Sequence, residues 1–200
     1  MKASVLAELL EKIRSLEEEL EAELMRRREQ FQFMRRGRFI LFDALLHQAH
    51  RRHRKGLVRY LFEAHWATLL TAPIIYALIV PLMVCDMAFS LYQWICFPAY
   101  GIPKIVRKNH IILDRHHLIY LNAIEKLNCA YCGYAVGVIS YAREIASRTE
   151  QYWCPVKHAQ KVVGAHRRYT YFLEYGDAEG YRARLEEIRE QVRSAPGDHT

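Results

Sequence analysis

The sequence predicts a mostly α-helical, membrane-attached protein: a central helical hairpin, an N-terminal coiled-coil-like helix and a small C-terminal helical domain. Three observations carry this expectation. The apolar stretch from Trp66 to Phe97 has Asp86 as its only charged residue. Charged residues crowd the two ends of the chain and desert the middle, as in an anchor with soluble flanks. Leucine and isoleucine recur at three- and four-residue spacing near both termini, the mark of amphipathic helices.

Residues 1–37 come first. Leu6, Leu9, Ile13, Leu16 and Leu20 form a stripe with Glu and Arg between them, predicting a helix over 3–36. The stripe covers only two to three heptads, short for a self-sufficient coiled coil. Tyr181, Leu185, Ile188 and Val192 make a similar stripe near the C-terminus, with Asp177 as its expected N-cap. Pairing of the two stripes, or a homodimer through the N-terminal helix, would cover them.

Residues 38–65 read as a basic interfacial segment. The net charge of +7 hides an asymmetry, because residues 1–25 are acidic overall and 26–59 are strongly basic. Phe39–Phe42 with Ala44, Leu45 and Leu46 would form the apolar side of a helix in the headgroup layer. Arg35, Arg36, Arg38, Arg51, Arg52, Arg54 and Lys55 would face an anionic lipid membrane, each adding roughly 1 kcal/mol near the surface. Nucleic-acid binding is not expected, since no nucleic-acid motif accompanies the charge. The N-terminus lacks the pattern of a signal peptide.

Residues 66–103 hold the apolar stretch. As one straight helix, 66–97 would be about 48 Å long against a hydrocarbon core of about 30 Å. Pro73 and Pro81 interrupt it, and Phe97-Pro98 through Pro103 end it. Lys104, Arg107, Lys108 and Arg115 follow, so both flanks are basic and both prefer the cytoplasmic side. The expectation is a hairpin bent near Pro81, re-entrant or just spanning, with both termini cytoplasmic. A single tilted span is the alternative. Asp86 would accept a hydrogen bond from Ser90 or Tyr76, or pair with a second chain, in a structural role.

Residues 104–175 read as a helical Cys/His domain and 176–200 as a C-terminal amphipathic helix and tail. Helices are expected over 114–130 and 138–152, loosened between by Gly133 and Gly137, with a third starting at Cys154-Pro155. The aromatic run Tyr169 to Tyr175 is expected to pack.

The strongest chemical signal is Cys129-x2-Cys132 followed by Cys154-x3-His158. Three thiolates and an imidazole suit a tetrahedral zinc site, and the same donors are acceptable to iron or an iron–sulfur cluster. A helix over 138–152 would be about 22 Å long and would hold the two pairs near its opposite ends, a tight fit for one site. A site using His116 and His117 with Cys154 and His158 is the alternative, and reduced, packed cysteines are the plain one. His47, His50 and His53 fall short of the complete HxxxH boxes of membrane di-iron enzymes, and a basic surface explains them. The sequence contains no Gly-rich phosphate loop, Gly-x-Ser-x-Gly elbow or HExxH. The functional expectation is a cytoplasmic-facing, zinc-binding membrane scaffold or interaction protein. A membrane-bound redox or metal-dependent enzyme acting on a lipid or quinone-like substrate is the alternative.

Overall fold

The computed structural model describes residues 2–29, 33–36, 39–42, 56, 60, 62–63 and 65–195, and those residues are mostly helical. The chain divides into two units, Met1–Lys55 with His117–Asn122, and Gly56–His116 with Ala123–Thr200.

In the first unit helix α1 spans Lys2–Glu29. Its apolar stripe is uncovered, with Leu9, Ile13, Leu16 and Leu20 all at least half exposed. Arg14–Glu18 and Arg27–Glu23 pair along its surface. The helix stops short of the expected residue 36. Strands β1, Phe33–Arg36, and β2, Phe39–Phe42, follow as an antiparallel pair, with Phe33 opposite Phe42 and Arg36 opposite Phe39. The run Phe39-Ile40-Leu41-Phe42 is rich in the aromatic and branched residues that favour strands. Arg35 and Arg36 therefore sit on a strand, as do the four residues Phe39–Phe42 assigned to an interfacial helix. Arg38, Arg51, Arg52, Arg54, Lys55 and the histidines at 47, 50 and 53 lie outside the described residues.

The second unit begins with helices α2, Trp66–Ala77, and α3, Ile79–Tyr100. They join through Leu78, whose own conformation is right-handed helical (φ −63°, ψ −13°). Together they make one helix, Trp66–Tyr100, long and apolar enough to cross a membrane. The chain does not reverse at Pro81, where the hairpin was expected. Pro81 lies in the first turn of α3, where a missing N–H is tolerated, so the proline interrupts the ladder without ending it. The real stop is Gly101, in the left-handed region at φ 72°. Its N–H reaches Pro98 O and that of Ile102 reaches Phe97 O, the paired bonds of a glycine-terminated helix.

After Gly101 the chain returns beside α3 as a strap, residues 102–113, containing the single turn α4, Arg107–His110. A 3₁₀ turn, Arg115–His117, follows. Helix α5, Ala123–Trp153, then runs unbroken through the positions where two helices and a loose link were expected. Gly133 and Gly137 do not loosen it. They make room for the strap: a Cβ on Gly137 would lie 2.8 Å from His110 O and Ile111 Cα, and one on Gly133 3.2 Å from Ile112 O. Asp114 caps no long helix, and Cys154-Pro155 ends α5 instead of starting another.

Tyr76 bonds Asn128, Asp86 bonds Tyr134 and Gln93 bonds Tyr141. Partner numbers rise together, so α2–α3 and α5 lie side by side and parallel. Helix α6, Ala178–Arg193, starts at the expected cap, Asp177 Oδ1 accepting from Gly180 N at 2.8 Å. Its stripe is spent on α5: Ile188 and Val192 are buried, and Gln151 Nε2 donates to Ile188 O. The core gathers Phe97, Ile102, Ile105, Tyr141, Ile145 and Val192.

Candidate functional site

The helix α2–α3 has two unlike sides. Trp66, Leu70, Ile74, Val84, Leu91 and Ile95 recur on one side, all more than half exposed. The opposite side carries Tyr76, Asp86, Ser90 and Gln93, and each has a partner.

Asp86 is the centre of this inward row. It is 7% exposed. Its carboxylate accepts from Arg107 Nε at 2.9 Å and 3.2 Å and also from Arg107 Nη2. Tyr134 Oη donates to it at 2.9 Å. Two turns on, Gln93 holds the strap by its backbone, Oε1 accepting from Ile105 N at 2.9 Å and Nε2 donating to Ile105 O at 3.1 Å. Gln93 Nε2 also reaches Tyr141 Oη at 2.6 Å. A carboxylate and an amide in an apolar helix thus fasten three segments: α3, the strap and α5. Ion pairs with this fork geometry fix orientation as well as charge. The carboxylate's acceptor positions are taken by arginine and tyrosine, which suits clamping better than proton transfer. A shallow apolar groove runs beside it, lined by Ile79, Val80, Met83, Val84 and Met87, with Ser90, Arg107 and Tyr134 at its polar end.

A second polar cluster braces the other end of α5. Glu144 accepts from Arg148 Nε at 3.0 Å and from Arg168 Nη2 at 2.9 Å. Arg148 is buried and donates onward to Pro103 O at 3.0 Å, tying α5 to the strap. Burial alone would push the Glu144 carboxyl up, but hydrogen bonds from Arg168 and Arg148 outweigh it and leave the group below its ordinary value. Beside it, His166 and Glu150 pair at 2.8 Å.

The cysteine and histidine positions do not converge. Cys129 and Cys132 lie on one face near the start of α5, and Cys154 follows its last residue. At 1.5 Å per residue Cys154 is about 33 Å from Cys132 and about 38 Å from Cys129, too far for one coordination sphere of ligands at about 2.0–2.3 Å. His158 stacks on Tyr169, whose hydroxyl accepts from His158 N at 2.7 Å. His116 and His117 occupy the 3₁₀ turn. Among the described residues no three His, Cys, Asp or Glu side chains come together as a metal site. The donor set therefore does not fit a single zinc or iron–sulfur centre. The cysteines are all free thiols.

Of the residues that organise this module, Gln93, Tyr134 and Tyr141 are absent from the sequence-derived expectations, and Arg107 and Gly137 enter them only as a flank charge and a loosening glycine. One signal pointed to Arg107: a lone acid in an apolar helix needs a cation, and the nearest downstream basic cluster begins at Lys104. Comparison of the chain with protein-family models, curated proteins and solved structures finds no match.

Proposed function

We propose that this chain is a membrane-attached scaffold or interaction protein, held at the membrane by the outward side of α2 and α3. The observation that carries the reading is the sorting of that helix. Every side chain on its outward stripe is apolar, while Asp86, Ser90 and Gln93 turn inward to partners. A water-facing helix would put such groups outward. Basic residues on both sides of the helix support attraction to anionic lipid and a cytoplasmic location for both termini. The uncovered stripe of α1 supports pairing with a second copy or a partner helix.

The test is flotation with vesicles of phosphatidylcholine, with and without phosphatidylglycerol. The expected outcome is recovery with the vesicles, increased by the anionic lipid. Monodisperse protein left in the aqueous layer under both conditions would reject membrane attachment.

A further inference from the structure

We propose that α2 and α3 lie in one leaflet, parallel to the membrane plane, and do not cross it. The inference rests on the membrane-attached reading above and adds the manner of attachment.

Length gives the first argument. The outward stripe continues from Trp66 to Ile95 on one side, about 44 Å by helix rise, against a hydrocarbon core of about 30 Å. The second argument is what lies behind the stripe. The strap is fastened to α3 by Gln93 and Asp86, which holds Arg107 and the exposed Lys108 abreast of Asp86. Helix α5 is fastened at Asn128 beside Tyr76, which puts Lys126 near that level. Asp86 lies about three residues from the middle of Trp66–Tyr100, so in a crossing the strap's cations would stand abreast of the bilayer centre. Turning α3 upright would carry the strap's cations into the hydrocarbon, where Lys and Arg are tolerated poorly.

Laid flat, the same module keeps its charges out of the hydrocarbon. The stripe enters the acyl layer, and the strap and α5 stay behind it in the headgroup region. Trp66 and Trp94, both about two-thirds exposed, then lie near the two ends of the stripe and within reach of the headgroup–acyl boundary, the level indole prefers. The exposed Lys104 and Lys108 match an anionic phospholipid leaflet in charge.

Depth-dependent quenching of single tryptophans by brominated lipids in phosphatidylcholine–phosphatidylglycerol vesicles tests this. Native Trp66 and Trp94 are read one at a time, with the remaining tryptophans replaced by phenylalanine. Val84→Trp, at an exposed site, supplies the middle of the stripe. The expected result is a shallow position at all three sites, no deeper than about 5–10 Å into the headgroup–acyl boundary. A Val84→Trp signal near the bilayer centre with Trp66 and Trp94 shallow would overturn the flat arrangement and leave attachment intact. No quenching at any position, with a dimer in solution, would overturn both and assign the stripe to a second copy of the chain.

Discussion

Asp86 is the residue on which the module turns. Removing its charge leaves the Arg107 guanidinium beside an apolar groove without its bidentate partner. Asp86→Asn is expected to cost about 1–3 kcal/mol, the range for a broken hydrogen bond to a charged group. Arg107→Met alone should cost a similar amount, and the double variant less than the sum. Denaturation of the four proteins in one detergent measures the coupling, and strict additivity would mean the pair does not hold the strap. Glu144 gives the second residue-scale expectation. Its carboxyl is depressed below the ordinary 4.5 by Arg168 and Arg148 against the opposing effect of burial. The sign follows: its contribution is complete above that unfolded value and is lost as pH falls through the lower folded one. Glu144→Gln should therefore lower stability at neutral pH and flatten the loss on acidification below about pH 4.5. Thermal melts across that range check it, and an unchanged acid limb would count against the pairing. Neither partnership was legible from composition. Asp86 stood out as a lone acid, but Arg107 reaches it only because Gly101 turns the chain back. Arg168 reaches Glu144 across a loop whose path no periodicity encodes.

At the scale of elements, the sequence reading succeeded where local physics decides and failed where tertiary packing does. Asp177 caps α6 as its side chain and position required. The leucine stripe of α1 makes a helix, yet the aromatic run after it pairs as strands, since helix and hairpin patterns overlap in so short a segment. Pro81 looked like a bend and proved to be a tolerated first-turn residue. Gly133 and Gly137 looked like loosening and are the contact surface of α5. That last correction has a consequence. Gly137→Ala places a methyl against backbone atoms of His110 and Ile111 that cannot rotate away. It should destabilise by about 1–3 kcal/mol despite the better helix propensity of alanine. Gly133→Ala, with a wider approach, should cost less. Denaturant midpoints of the two variants decide, and equal or stabilising effects would contradict the close packing of strap on helix. The continuity of α5 also keeps Cys129 and Cys132 about 33–38 Å from Cys154, against the single Cys3His centre that the spacing suggested. Elemental analysis of wild type and Cys132→Ser should give the same zinc content, whereas loss of one equivalent in the variant would restore that centre.

On the scale of the whole molecule, the second unit is built on an apolar helix with Asp86, Ser90 and Gln93 turned inward and a basic strap locked behind it. The sequence alone identified the apolar stretch and the basic flanks. It did not reveal which side of the helix faces out, because that depends on the strap's return and on the parallel course of α5. Those two features engage Asp86, Ser90 and Gln93 and leave the apolar stripe as an exposed surface. The central claim is that this surface attaches the protein to lipid. It is tested most directly by flotation of wild type and a Val84→Asp/Leu91→Asp variant with vesicles containing phosphatidylglycerol. Both substituted residues are exposed and on the outward side, so the fold should survive. The expected result is wild type recovered with the vesicles and the variant left behind, with unchanged helical circular dichroism. Equal flotation of the two, or of neither, would contradict attachment through this face.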